Sequence, residues 1–226
     1  MSKTIGILGG MGPAATLDLF HKIILNTPVQ TEQEHHRVII YNNPKIPPRT
    51  QHSCPLPEMI KSAILLENAG ADFIIMPCNT AHIWLEQIKA NIKIPFYSMI
   101  ETTVESILLE KDSINKKILL LATETTINYG LYQKAFNNTP YDIIIPTKEE
   151  QNIIDNAIKD VKLGKISSNQ YLKELNGILN VYKDSGIFAI IGGCTEIPLL
   201  FHLFEVDMKM IDPTLLLAKL AVQKAA

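Results

Sequence analysis

Short runs of β-branched residues and leucine recur along the chain at 5–8, 38–41, 73–76, 96–98, 118–122, 141–145, 189–191 and 209–211. Several are apolar at every position instead of at alternate ones. A strand that is apolar on both sides has to be covered on both sides, which is the condition of a parallel sheet between two layers of helix. The intervening segments, 13–26, 58–68, 81–90, 101–110, 149–163, 168–183 and 213–225, read as those helices. Pro13 stands at a first-turn position, where its missing N–H costs nothing, and Leu17, Phe20 and Ile24 follow at helical spacing. Gly70 is placed to end the helix over 58–68. The alternation makes the chain α/β, with Rossmann-like parallel sheets. Residues 42–57, with five prolines, Arg49 and Cys54, interrupt it and read as an ordered functional loop.

The pattern also occurs twice. Lys3-Thr4-Ile5-Gly6-Ile7-Leu8 resembles Lys116-Lys117-Ile118-Leu119-Leu120-Leu121 at an offset of 113 residues. Ala69-Gly70 and Ser185-Gly186 each precede an apolar strand with paired isoleucines, Ile74-Ile75 and Ile190-Ile191. Each strand delivers a cysteine eight residues after its glycine, Cys78 and Cys194, which are 116 apart. Two similarities at nearly one offset, close to half of 226 residues, indicate a duplicated α/β half-domain. The halves are drawn as 1–100 with 206–226, carrying Cys78, and 101–205, carrying Cys194.

Charge narrows the partners. With 21 Lys+Arg against 23 Asp+Glu there is no basic excess for nucleic acid or an anionic membrane. A composition 46% hydrophobic and 19% charged excludes disorder. No apolar run nears the ~18–20 residues of a membrane span. The first residues lack the apolar core and cleavage site of a secretory leader. Three cysteines, an odd number, fit a reducing compartment, so the expected location is the cytoplasm.

Cys78 lies in Met76-Pro77-Cys78-Asn79-Thr80-Ala81-His82 and Cys194 in Gly192-Gly193-Cys194-Thr195-Glu196-Ile197. Both follow a buried strand and precede a helix. Open α/β sheets bind ligands beyond the carboxyl ends of their strands. A helix N-terminus lowers a nearby thiol pKa from ~8.5 and makes a usable thiolate. Cysteine is also a common small core residue, but polar neighbours follow each thiol here: Asn79 and Thr80, Thr195 and Glu196. One acid/base group per half suits inversion of a stereocentre, which needs a base on one face of a carbon and an acid on the other. No second Cys or His stands at metal-ligand spacing. A Cys78–His82 dyad is a minor alternative, and Cys54 reads as structural.

Gly9-Gly10-Met11-Gly12-Pro13 follows the first strand. Residues 10–15 fit the G-x-G-x-x-A dinucleotide pattern, but Asn42-Asn43 stand where its acidic residue belongs. The loop either offers N–H groups to a small anion or is a close-packed turn. Arg49, one of only two arginines, is either a carboxylate clamp or a solvated side chain. Spacing alone makes Lys162 an exposed lysine.

Taken together, the glycine loop, Pro77–His82 and Gly193–Glu196 resemble the cofactor-independent aspartate/glutamate racemase family, in its aspartate racemase branch. The similarity extends over Ile46–Thr50, Leu120–Thr126 with Tyr132, and Val161–Gly164. It implies two pseudo-twofold-related α/β domains with the active site in the cleft between them, no cofactor or metal, and a homodimer. It further implies Cys78 and Cys194 as the acid/base pair. Arg49 and Lys162 would contact the carboxylates of an amino-dicarboxylate substrate, with Met11, Asn79, Thr80, Thr123, Thr195 and Glu196 lining the site. Glutamate racemases differ, with Asp-Ser-Gly after the first strand and a His after the second Cys-Thr, so aspartate is the expected substrate and glutamate the second. A dicarboxylate isomerase of the maleate type and a non-catalytic anion or nucleotide sensor are the rival expectations.

Overall fold

A computed structural model describes residues 2–49, 53–109 and 116–226 and resolves the alternation into two units, Met1–Thr103 with Thr214–Ala226 and Val104–Pro213. Chain order in the first is β1 (Ile5–Gly9), α1 (Pro13–Asn26), β2 (Val38–Asn42), α2 (Leu56–Asn68), β3 (Phe73–Ile75), α3 (Leu85–Lys89) and α4 (Met99–Leu108), within which the boundary falls. There follow β4 (Lys116–Leu121), α5 (Glu124–Asn128), α6 (Leu131–Ala135), β5 (Tyr141–Ile144), α7 (Lys148–Lys162), α8 (Leu172–Asp184), β6 (Ala189–Gly192) and β7 (Lys209–Ile211). The helix α9 (Pro213–Ala225) returns to the first unit.

Both sheets are parallel throughout. The first runs β2-β1-β3 and the second β5-β4-β6-β7. Gly6 pairs with Ile74 in one and Leu119 with Ile190 in the other. These are the residue pairs that the 113- and 116-residue offsets relate, so the repeat holds at the level of strand register.

Side-chain alternation then sorts the core. In the first unit Ile5, Ile7, Phe73 and Ile75 form one cluster with Leu19 and Ile23 of α1 and Leu217, Ala218 and Ala221 of α9. Leu8, Ile74 and Met76 point the other way, onto Met59, Ala63 and Leu66 of α2 and Ile88 of α3. In the second unit Leu119, Leu121 and Ile190 pack on Ile154, Ile158 and Val161 of α7 and Leu175 and Leu179 of α8. Fully burying each such side chain contributes about 1.5–3 kcal/mol. Among the described residues no helix is long and apolar enough to cross a membrane.

Four expectations change. Residues 96–98 form no strand; Phe96 makes one isolated parallel bridge to Ile74, and Pro95 before it cannot donate to a ladder. The neighbour of β6 is the full strand β7, so residues 206–213 belong with the second unit and the return to the first begins at Thr214. The segment 81–90 is a 3-10 helix, Thr80–Trp84, followed by the short α3. The helix expected from 168 starts at Leu172, because Asn169 caps a turn: its Oδ1 accepts from Tyr171 N (3.1 Å) and its Nδ2 donates to Ala157 O (2.9 Å). Glu110 and Thr50 lie outside the described residues.

Two glycines with positive φ make a contrast. Gly10 (φ +99) presses against the Asn43 backbone, which an added Cβ would meet at 2.3 Å, whereas Gly70 (φ +94), just past α2, has nothing within 4 Å. Gly70→Ala should lose only the left-handed backbone penalty, about 1–2 kcal/mol. Gly10→Ala should lose that and the displacement of the β2 exit as well, at least about 3 kcal/mol in all. Urea unfolding of the two variants measures the difference; equal losses would show that the Gly10–Asn43 contact is unimportant.

Candidate active site

In the first unit the carboxyl ends of β1, β2 and β3 lie side by side, as parallel pairing requires. The turn after β1 is close-packed: Gly10 N donates to Thr16 Oγ1 (2.9 Å), and Thr16 Oγ1 donates to Gly12 O (3.2 Å). One loop amide is thus taken by the helix it opens. Asn43, after β2, donates N–H to Gly9 O (3.2 Å), donates Nδ2 to Glu58 Oε1 (3.0 Å) and accepts Lys45 N on Oδ1 (3.0 Å). It therefore starts the proline-rich loop with its side chain committed, in the place where a dinucleotide site needs a free carboxylate. That loop brings Arg49 back to β1, where Nη2 donates to Met11 O (3.2 Å). Arg49 Nε is buried and has no acceptor among the described residues. Met11 itself is buried in the core by its side chain.

Cys78 follows β3 and is buried, as are Asn79 and Thr80. Its N–H closes a tight turn on Met76 O (2.9 Å). Its carbonyl is held by His82, whose Nδ1 lies 2.8 Å away, while His82 Nε2 accepts the Met99 N–H at the start of α4 (2.9 Å). With Nε2 accepting, Nδ1 carries the hydrogen. Burial pushes the imidazole down to about 4, against the Cys78 hydrogen bond, so it stays neutral. Both ring nitrogens serve the backbone, and neither is available to the thiol. The Cys78–His82 dyad is therefore not formed; His82 positions Cys78 instead.

In the second unit a capping box fixes the start of α7, with Glu150 N on Thr147 Oγ1 (3.3 Å) and Thr147 N on Glu150 Oε2 (2.7 Å). Tyr182 OH from α8 donates to the same Glu150 oxygen (2.8 Å). One residue on, buried Gln151 donates Nε2 to Ala122 O (2.9 Å), tying α7 to the end of β4. Thr123 caps α5, its Oγ1 accepting Thr126 N (3.3 Å). The far end of α7 carries Lys162, exposed as its spacing suggested.

Cys194, in the turn after β6, is buried together with Thr195 and Glu196. Cys194 Sγ donates to Glu196 Oε2 (2.9 Å), and Thr195 Oγ1 donates to the same oxygen (3.3 Å). Burial pushes the Cys194 thiol well up; the Glu196 charge acts in the same direction and Lys162 against it. This reverses the expected lowering by a helix N-terminus. The helix after Cys194 is a 3-10 turn that begins only at Pro198, and the nearest charge is a carboxylate. Glu196, expected to line a substrate, faces the thiol. Cys54, expected to be structural, is exposed just ahead of α2.

The structure thus gathers Met11, Arg49, Cys78, Asn79 and Thr80 at the carboxyl edge of one sheet. It gathers Thr123, Cys194, Thr195 and Glu196, with the charge of Lys162, at that of the other. Asn43 and Gln151 were missed as organisers. Asn43 after an apolar run was a legible turn signal; Gln151, inside a helix, carried none.

A family model described as Asp/Glu/Hydantoin racemase matches residues 8–221. The chain is 28% identical over 232 residues to a broad-specificity amino-acid racemase of Bacillus subtilis, covering 96% of each chain. Among solved structures, the Picrophilus torridus aspartate racemase superposes with a TM-score of 0.86 at 30% identity, over 99% of this chain and 94% of that one. An aspartate racemase homologue from Pyrococcus horikoshii gives 0.79 at 26% identity, over 99% of both.

The neutral His82 makes stability depend on acid. Its imidazole binds a proton near 6.5 when unfolded but only at about 4 when folded. The unfolded chain therefore takes up more protons between those values, and stability falls as pH drops through that window, by up to roughly 3 kcal/mol. His82→Gln, followed by urea unfolding from pH 7 to pH 4, should flatten this slope; an unaltered slope would show that another group causes it.

Proposed function

This chain belongs to the Asp/Glu/hydantoin racemase family and is an amino-acid racemase, and on that premise we propose that it interconverts L- and D-aspartate by proton transfer at the α-carbon, with Cys78 and Cys194 as the two acid/base groups and no cofactor. The observation that carries the reading is that each sheet presents one buried cysteine in the turn beyond its β3 or β6 strand, followed by polar side chains.

Inversion requires a proton to leave one face of the α-carbon and another to arrive at the opposite face. In this scheme Cys194, whose Sγ donates to Glu196 Oε2, is the protonated thiol and acts as the acid in the resting enzyme. Cys78, as the thiolate, then removes the α-proton: the S–H bond forms, the C–H bond breaks, and the electron pair passes into the α-carboxylate. Cys194 delivers its proton to the other face and becomes the thiolate. In the reverse direction the roles exchange.

Two cations support a dicarboxylate. Arg49 is anchored through Nη2 but keeps a buried Nε without an acceptor, an arrangement that a carboxylate oxygen satisfies. Lys162 is the second cation, on the unit that carries Cys194. The Picrophilus relative is an aspartate racemase, which favours aspartate. The Bacillus relative's broad specificity makes a wider amino-acid range, glutamate included, the second reading. The proposal includes a cytoplasmic homodimer.

Incubating L-aspartate, D-aspartate, both glutamates and maleate in D2O without added cofactor tests this, with chiral chromatography and mass spectrometry as readouts. Aspartate should racemise with incorporation of one deuterium at the α-carbon, and maleate should remain unchanged. Cys78→Ala and Cys194→Ala should each lower racemisation at least about a hundredfold. Undiminished turnover in both variants would overturn the two-thiol mechanism, and isomerised maleate with inert aspartate would overturn the substrate.

A further inference from the structure

Glu196 is nearly inaccessible, and its Oε2 already accepts two hydrogens, one from Cys194 Sγ at 2.9 Å and one from Thr195 Oγ1 at 3.3 Å. A carboxylate so engaged is poorly suited to greet an anionic substrate. We infer that Glu196 is a positioning residue that holds the proton on Cys194, so that the free enzyme carries its acid on the Cys194 side and favours the enantiomer whose α-proton meets Cys78. This rests on the two-thiol reading above.

Three features carry the inference. First, Glu196 acts on Cys194 as a negative charge, and a carboxylate has no hydrogen to give, so the hydrogen in the 2.9 Å contact is the thiol's. Second, burial already favours the neutral thiol, and the two charges that act on Cys194 oppose each other unequally. Glu196 lies in direct contact from the same turn, whereas Lys162, exposed at the end of α7, reaches the thiol only through space. Third, Thr195 Oγ1 shares the accepting oxygen and fixes the carboxylate beside the sulfur instead of letting it rotate away. The Cys78 turn contains no equivalent, since Asn79 and Thr80 follow there. The duplication is therefore broken at the residue two places after each cysteine: Thr80 in one half, Glu196 in the other.

The consequence for catalysis has a definite form. Enantiomers have equal free energy, so kcat/KM for the two directions must be equal whatever the enzyme does. A proton held on Cys194 can show only as matched differences in kcat and KM between L- and D-aspartate. It also sets the alkaline limb of kcat/KM, where the second thiol proton is lost.

The chain has three cysteines, so Cys54→Ser with Cys78→Ser leaves Cys194 as the sole thiol. Its ionisation can be followed by thiolate absorbance near 240 nm and by the rate of iodoacetamide alkylation against pH. Adding Glu196→Gln should lower the midpoint by roughly one to three pH units, the range for loss of a like charge in contact, whereas Glu196→Asp should keep it high. In the chain with all three cysteines, Glu196→Gln should shift the alkaline limb of kcat/KM down by the same amount and narrow the difference in KM between the enantiomers. An unmoved midpoint in Glu196→Gln overturns the inference. If that variant does not fold, Thr195→Val in the single-thiol chain, which releases the carboxylate from its place beside the sulfur, should lower the midpoint instead; an unmoved midpoint there, or a parent midpoint at or below ~8.5, overturns the inference. The titration needs no substrate, so failure to racemise aspartate would count against the functional proposal alone.

Discussion

Parallel pairing between strands buried on both faces governs the rest of this molecule. Here the strands satisfy their backbone groups by pairing in one direction, and they need helices on either side to exclude water. All the carboxyl ends of a sheet therefore reach one edge. There the ladder stops, the chain turns, and the first side chains released from pairing become available for chemistry. In the first sheet β3 ends at Ile75 and Cys78 comes three residues later; in the second β6 ends at Gly192 and Cys194 comes two later.

A turn at a buried edge exposes polar backbone to an apolar interior, and each such group must find a partner. Much of the polar apparatus near the thiols serves that need first. His82 joins the Cys78 carbonyl to the start of α4, Gln151 joins α7 to Ala122, and Thr123 caps α5. These bonds hold the turns and helix starts around the two thiols in place, and they separate residues committed to the backbone from those with capacity left over. Arg49 belongs to the second group.

The architecture was legible because it follows from hydrophobic period. Apolar runs without alternation marked the central strands, and α1 and α9 occupy the spans that Pro13 and Pro213 announce. The readings failed where a tertiary partner decided. Phe96 and its neighbours have strand composition, yet a preceding proline and one bridge are all they bring to the sheet. Residues 124–135 fold into α5 and α6 although threonines and a glycine disfavour helix there; the Thr123 cap and packing of buried Tyr132 outweigh propensity. The equivalent places of the two thiols, each in the turn beyond a buried strand, were legible by spacing. The raised Cys194 was not, because a motif shows that a glutamate is near and cannot show that its carboxylate turns inward.

The return of α9 has a consequence for how the protein is made. Leu217, Ala218 and Ala221 complete the cluster around Ile5, Ile7 and Phe73, and Lys3 N donates to Ala225 O at 2.9 Å. Translation proceeds from the amino end, so residues 104–213 have all emerged before that helix exists. The second unit can close on the ribosome with every one of its strands in hand, while the first, although begun earlier, waits with an apolar face uncovered until α9 has emerged. The half that starts first is the half that finishes last.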